Sequence, residues 1–204
     1  PRARRARARR RRGARRARTR HARAGRQVKK DGTALRVLST RDATDWTDPR
    51  MRAIVKAAVT QNGAALQFVG NDFEPDEDIV ATAVASFAYL WDDMPDRLNK
   101  WRDNDRVALA SVGRDGETLR HFTGRIRNTD AIVLVAVKCD APRGCAVALK
   151  YATSECKLRI WKRAMEAASA PAVVEHLKAD RKVWRELCKN DDFALAAMQA
   201  RGMH

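Results

Sequence analysis

From Ile54 onward the apolar residues of this chain arrive in pairs at a steady interval. The stretch IVKAAVTQNGAAL (Ile54 to Leu66) recurs as VALASVGRDGETL (Val107 to Leu119) and again, with altered turn chemistry, as VWRELCKNDDFAL (Val183 to Leu195). Shorter echoes fill the gaps: IVATAV from Ile79, IVLVAV from Ile132 and IWKRAM from Ile160. The six copies are spaced 25, 28, 25, 28 and 23 residues apart, so two copies make a period of about 53 residues, a length typical of stacked helical repeats. Within a copy the apolar positions are i, i+1, i+4 and i+5, as in Ile54, Val55, Ala58 and Val59. That spacing lays them along one stripe of an α-helix, whereas a strand would alternate.

Start and stop residues agree with this reading. Asp48 and Pro49, Pro75 and Asp76, Asp103 and Asp105, Asn128 and Asp130, and Asp180 each precede an apolar pair. Carboxylates favour a helix N-terminus and Pro suits its first turn. Asn62 with Gly63 and Asp115 with Gly116 are expected to end their helices in the left-handed conformation that Gly and Asn tolerate. A shorter apolar segment follows each turn, carrying Leu66 and Phe68, Leu119 and Phe122, or Leu195 and Met198. Trp91, Trp161 and Trp184 fall at repeat-equivalent apolar positions and read as core. The expected fold is therefore all-α: six stacked helix-turn-helix repeats, α-solenoid-like, because neither helix of a copy can bury its stripe alone.

The pattern of Asp, apolar pair, Ala-Val, Asn-Gly or Asp-Gly, then Leu resembles domain-of-unknown-function family 4116, a short helical repeat of protist and giant-virus proteins. The resemblance runs from about Asp48 to Met198 and is closest at IVKAAVTQNGAALQFV. The second and fifth copies lack the glycine turn, and the fourth inserts CDAPRG before CAVALKYA. The resemblance implies the fold and carries no established activity.

Charge changes the picture at one end only. The chain carries +17, yet residues 1–30 hold 14 Arg and 2 Lys with no acid, leaving 26 basic against 25 acidic residues elsewhere. Two domains are expected: an Arg-rich tail over 1–45, disordered or ordered by a partner, and a helical-repeat domain over 46–204. Like charges at three- and four-residue spacing repel along any helix the tail forms. Guanidinium groups clamp phosphates bidentately and release counterions, so the candidate nucleic-acid-binding residues are Arg2, Arg4, Arg5, Arg7, Arg9, Arg10, Arg11, Arg12, Arg15, Arg16, Arg18, Arg20, Arg23, Arg26, Lys29 and Lys30. Competing readings are a transit-peptide remnant, attraction to anionic lipid, or a frame artefact of GC-rich sequence. The chain opens on Pro1, which a processed end, a fragment or an incomplete gene model would each explain.

Candidate chemistry adds little. Asp92, Asp93, Met94, Pro95 and Asp96 spell DDMPD, which resembles a magnesium-diphosphate motif, but Pro95 would break the helix that motif needs. Cys139, Cys145, Cys156 and Cys188 lack paired C-x-x-C spacing, so buried thiols are expected over zinc, with Cys188 on an apolar stripe. VGRDGETLR is no P-loop, for want of its lysine and spacing. No catalytic residue, metal site or cofactor is expected. The longest apolar run, Ala131 to Val137, falls far short of the roughly 20 residues of a bilayer span.

These features point to a non-catalytic helical-repeat scaffold or interaction subunit, docked on a large assembly and anchored through its tail to a polyanion such as ribosomal RNA. Its partners would be subunits of a larger protein or ribonucleoprotein complex. An organelle, plastid or mitochondrion, is the expected location, with cytoplasm or nucleus as alternatives. Two other functions compete. One is a peripheral soluble subunit of a photosynthetic or respiratory membrane complex. The other is a stand-alone RNA-binding protein with Arg120, Arg125 and Arg127 on its binding face. An enzyme would need polar groups converging on His121.

Overall fold

The computed structural model describes residues 35–36, 46, 48–93 and 95–200. Every element among them is helical. The described residues divide into two compact modules, with the boundary between Leu90 and Trp91.

In the N-terminal module, α1 (Pro49–Gln61) starts where the Asp48 carboxylate accepts the Arg50 N–H at 2.8 Å and Pro49 occupies the first turn. It buries Met51, Ile54, Val55, Ala58 and Val59, the stripe expected from the spacing. Asn62 closes it with extended backbone (φ −150°) and its side chain accepts the Ala64 N–H at 3.0 Å. One residue thus ends α1 and starts the 3-10 turn Gly63–Phe68. α2 (Glu77–Ser86) is capped by Asp76, whose Oδ1 accepts the Ile79 N–H at 2.9 Å, and it packs along α1. Leu35 and Trp46 are also buried, and an added Cβ at Gly70 would strike the Trp46 indole.

In the C-terminal module, α3 (Asp105–Val112) and the 3-10 turn Gly116–His121 repeat the plan of α1 and its turn. Asn104 caps α3, and Asp115, again extended (φ −152°), caps the turn through the Glu117 N–H. α4 (Asp130–Asp140), the helical turn Ala148–Tyr151, α5 (Ser154–Ala167), α6 (Ala170–Ala179), α7 (Arg181–Leu187) and α8 (Asp191–Ala200) follow. α3 packs on α4, α4 on α5 and α5 on α7. A second row runs from Gly116–His121 to Ala148–Tyr151, then α6, then α8. Successive copies are sewn at the helix starts. The Thr123 N–H donates to Arg102 O, and the Thr153 N–H to Arg127 O, both at 3.1 Å. Arg125 pairs with Asp103 and Asp105, and Arg159 with Asp130.

The six residues that open the copies, Ile54, Ile79, Val107, Ile132, Ile160 and Val183, are all buried, at most 8% exposed. Trp91 is buried too, with its indole N–H donating to Ser111 Oγ at 3.0 Å and Ser111 in turn donating to Thr118 Oγ1 at 2.9 Å. Trp161 and Trp184 are half-buried, each edge-on to Phe193.

Three expectations are corrected. Gly63 and Gly116 do not adopt a left-handed conformation; Gly144, with φ +66°, is the one described residue that does. They are glycine because the next helix lies against them. A Cβ at Gly63 would collide with the Ala83 carbonyl, and one at Gly116 would lie 2.6 Å from Ala136 O. Leu195 and Met198 are 59% and 50% exposed, and Phe193 and Ala197 carry the inward face of α8 instead. Cys188 is exposed, because it sits just past the end of α7 and off its buried side.

Candidate functional site

All sixteen basic positions from Arg2 to Lys30 lie outside the described residues. The other candidates are placed. Asp92 and Asp93 end the turn Leu90–Asp93 and are exposed, and Pro95 opens a separate turn, Pro95–Leu98. Asp92 accepts Arg120, which also pairs with Glu117. Arg120 and Arg125 are thus both committed to carboxylates, and Arg127 has its Nε buried. No group of three or more His, Cys, Asp and Glu among the described residues is placed to hold a metal.

His121 is stacked on Trp91, rings 6.0 Å apart and 11° from parallel. Burial holds its pKa below the usual histidine value; Asp92 pulls the other way, and Arg120 and Arg102 reinforce the lowering. Its Nε2 accepts from Arg120 Nε at 3.0 Å, so the ring is neutral and its 3.6 Å approach to Asp92 is not an ion pair. On Trp91 itself, Ser111 Oγ is buried between the indole N–H, which it accepts, and Thr118, to which it donates.

Cys156 is buried, its thiol donating to Asp130 at 3.5 Å, and burial pushes its pKa up to about 12. Burial raises Cys139 as well. Neither has thiolate character near neutral pH.

The sequence reading missed a cluster of basic side chains in the C-terminal module. A cleft of about 490 Å³ is lined by Lys150, Lys157, His176, Ala179, Asp180, Arg181 and Lys182. Four elements build it: the turn Ala148–Tyr151, the first turn of α5, the end of α6 and the start of α7. Asp180 is its pivot. It caps α7 through the Val183 N–H at 3.3 Å, accepts Ser154 Oγ at 2.8 Å and takes Lys157 Nζ at 3.1 Å. Burial pushes its carboxyl up, yet these donors outweigh that and leave it below the usual range.

Ser154 and Lys157, three residues apart, lie on one face of α5, and Thr153 caps that helix through the Cys156 N–H. Lys157 is buried, with a side chain only 7% exposed. Lys150 lies over the Tyr151 ring at 5.5 Å. Among the described residues no carboxylate pairs with Lys150, Arg181 or Lys182. His176 is half-buried, and burial lowers its pKa most; Lys157 and Lys150 lower it further, and Asp140 and Glu175 oppose them. It is neutral at neutral pH.

Such a cleft can hold an anion, with the buried Lys157 and half-buried His176 at its floor and the exposed Lys150, Arg181 and Lys182 at its rim. No helix of the described residues is long and apolar enough to cross a membrane. No family model matches this chain, and neither the curated proteins nor the solved structures contain a match to it.

Proposed function

We propose that this chain is a non-catalytic helical-repeat subunit that docks on a large assembly, and that its Arg-rich N-terminal segment anchors it to a polyanion of the ribosomal-RNA kind. The copies are helical repeats of the family 4116 type in this reading, and the parent assembly is an organellar particle. The observation that carries the proposal is the segregation of charge. Sixteen cations stand without an acid in residues 1–30, while the remainder of the chain is nearly neutral. The side chains of that remainder support it: Arg52, Lys56, Arg120, Arg125, Arg159 and Lys189 are all spent on carboxylates. A polyanion would therefore be drawn to the N-terminal segment, with contacts that position without reading sequence.

The same ion pairs disfavour the stand-alone reading, since Arg120 and Arg125 already have partners. Size fractionation of native extract, with and without nuclease, tests the proposal. The chain is expected to travel with a large particle and to leave it after nuclease. Migration as a free monomer in both runs would remove the proposal.

A further inference from the structure

We propose that the cleft between α5, α6 and α7 is a binding site for a compact polyphosphorylated small molecule, one that presents two phosphate groups within a few ångströms of each other. The proposal does not depend on the N-terminal segment or on the assembly named above.

Charge sets the class of ligand. Lys150, Lys157, Arg181 and Lys182 line the cleft with one carboxylate, Asp180, a formal surplus of three positive charges in the lining of a cavity of about 490 Å³, while Asp140 and Glu175 act on His176 from outside that lining. A single carboxylate ligand would leave most of that surplus uncompensated. A diphosphate or bisphosphate group, with a charge near −3 at neutral pH, matches it.

Shape narrows the class. The volume suits a small molecule. The lining contains one apolar residue, Ala179, and one ring, the His176 imidazole. With four cations in that lining, the ligand is held chiefly by its phosphates.

Lys157 shows that the site is built rather than a chance crowding of surface lysines. Its ammonium is carried to the floor of the cleft on α5 and meets Asp180 at 3.1 Å. An ammonium has three N–H groups. Among the described residues Asp180 is the hydrogen-bond partner of this one, so two donors remain for an oxyanion in a setting where water screens little. Arg181 can add a bidentate contact. His176 faces Asp140, Glu175, Lys150 and Lys157, and an anion beside it would favour the imidazolium and add a further donor.

Pyrophosphate is the probe, with orthophosphate and acetate as comparisons, titrated calorimetrically into the full chain at physiological salt. Pyrophosphate is expected to bind at least tenfold more tightly than either. The triple variant Lys150→Gln, Arg181→Gln, Lys182→Gln changes only exposed side chains and is expected to weaken it tenfold or more. A variant with all sixteen N-terminal cations replaced by Gln should bind within twofold of the parent. In NMR the His176 ring should titrate at higher pH with pyrophosphate present. Binding that vanishes with the N-terminal cations and survives the triple variant would overturn the proposal, as would an unmoved His176. Displacement of pyrophosphate from the cleft by a single-stranded RNA oligonucleotide would also overturn it, by making the cleft part of a nucleic-acid path.

Discussion

At Gly116 an added Cβ would lie 2.6 Å from Ala136 O and 2.7 Å from Asp140 Oδ1, whereas at Gly124 it would meet nothing within 4 Å. The same two-residue signature, Asn-Gly or Asp-Gly, marks a turn in either reading, which is why the pattern located both turns correctly. It could not say that the glycine answers to a neighbouring helix, because that neighbour is some 20 residues away and its approach is a tertiary fact. Gly116→Ala is expected to cost about 1–3 kcal/mol through overpacking. Gly124→Ala should stay within about 0.5 kcal/mol of the parent. Urea unfolding of the two variants checks this, and equal midpoints would contradict the close packing.

The α8 helix shows where periodic reading slips. Counting from the first apolar residue puts Leu66, Leu119 and Leu195 in register, but Asn62 and Asp115 lie eight residues after theirs and Asn190 only seven after Val183. The cap of α8 therefore comes one residue early, with Asn190 Oδ1 accepting the Phe193 N–H at 3.0 Å. α8 is also a ten-residue α-helix rather than a 3-10 turn. Its inward positions are Phe193 and Ala197, four apart, and Phe193 is gripped by Trp161 and Trp184 at 5.2 and 5.4 Å. Phe193→Ala is expected to lose about 3–5 kcal/mol. The double change Leu195→Ser, Met198→Ser should be nearly neutral. Thermal melts of both report the true register.

Across the whole molecule, the all-α class was legible because the apolar stripe repeats six times and survives local variation. The cleft was not, since Lys150 and Lys157 precede Arg181 and Lys182 by more than 20 residues and only the packing of α5, α6 and α7 gathers them. Acidity offers a test of how these charges are held. His121 and His176 have pKa values lowered chiefly by burial, so the unfolded chain binds their protons first. Their contribution is fully present above about pH 6.5 and is lost as pH falls through the lower folded values. Asp103 and Asp130, lowered by Thr123 and Arg125 and by Arg159 respectively, add a second loss below about pH 4. Asp140, raised by burial, opposes it. The urea midpoint is expected to fall between pH 7 and 5.5, and His176→Gln should flatten that slope.

The bonds that sew helix start to helix start in the C-terminal module reach forward in turn, from Arg102 to Thr123, from Arg127 to Thr153, and from Ser154 and Lys157 to Asp180. A strip stitched along one hem loosens first at the helix with least packed against it, and among the described residues α8 rests mainly on α6 and on the Trp161 and Trp184 rings. Backbone amides of α8 will accordingly exchange with solvent well before those of α4, which is clasped by α3 and α5 together.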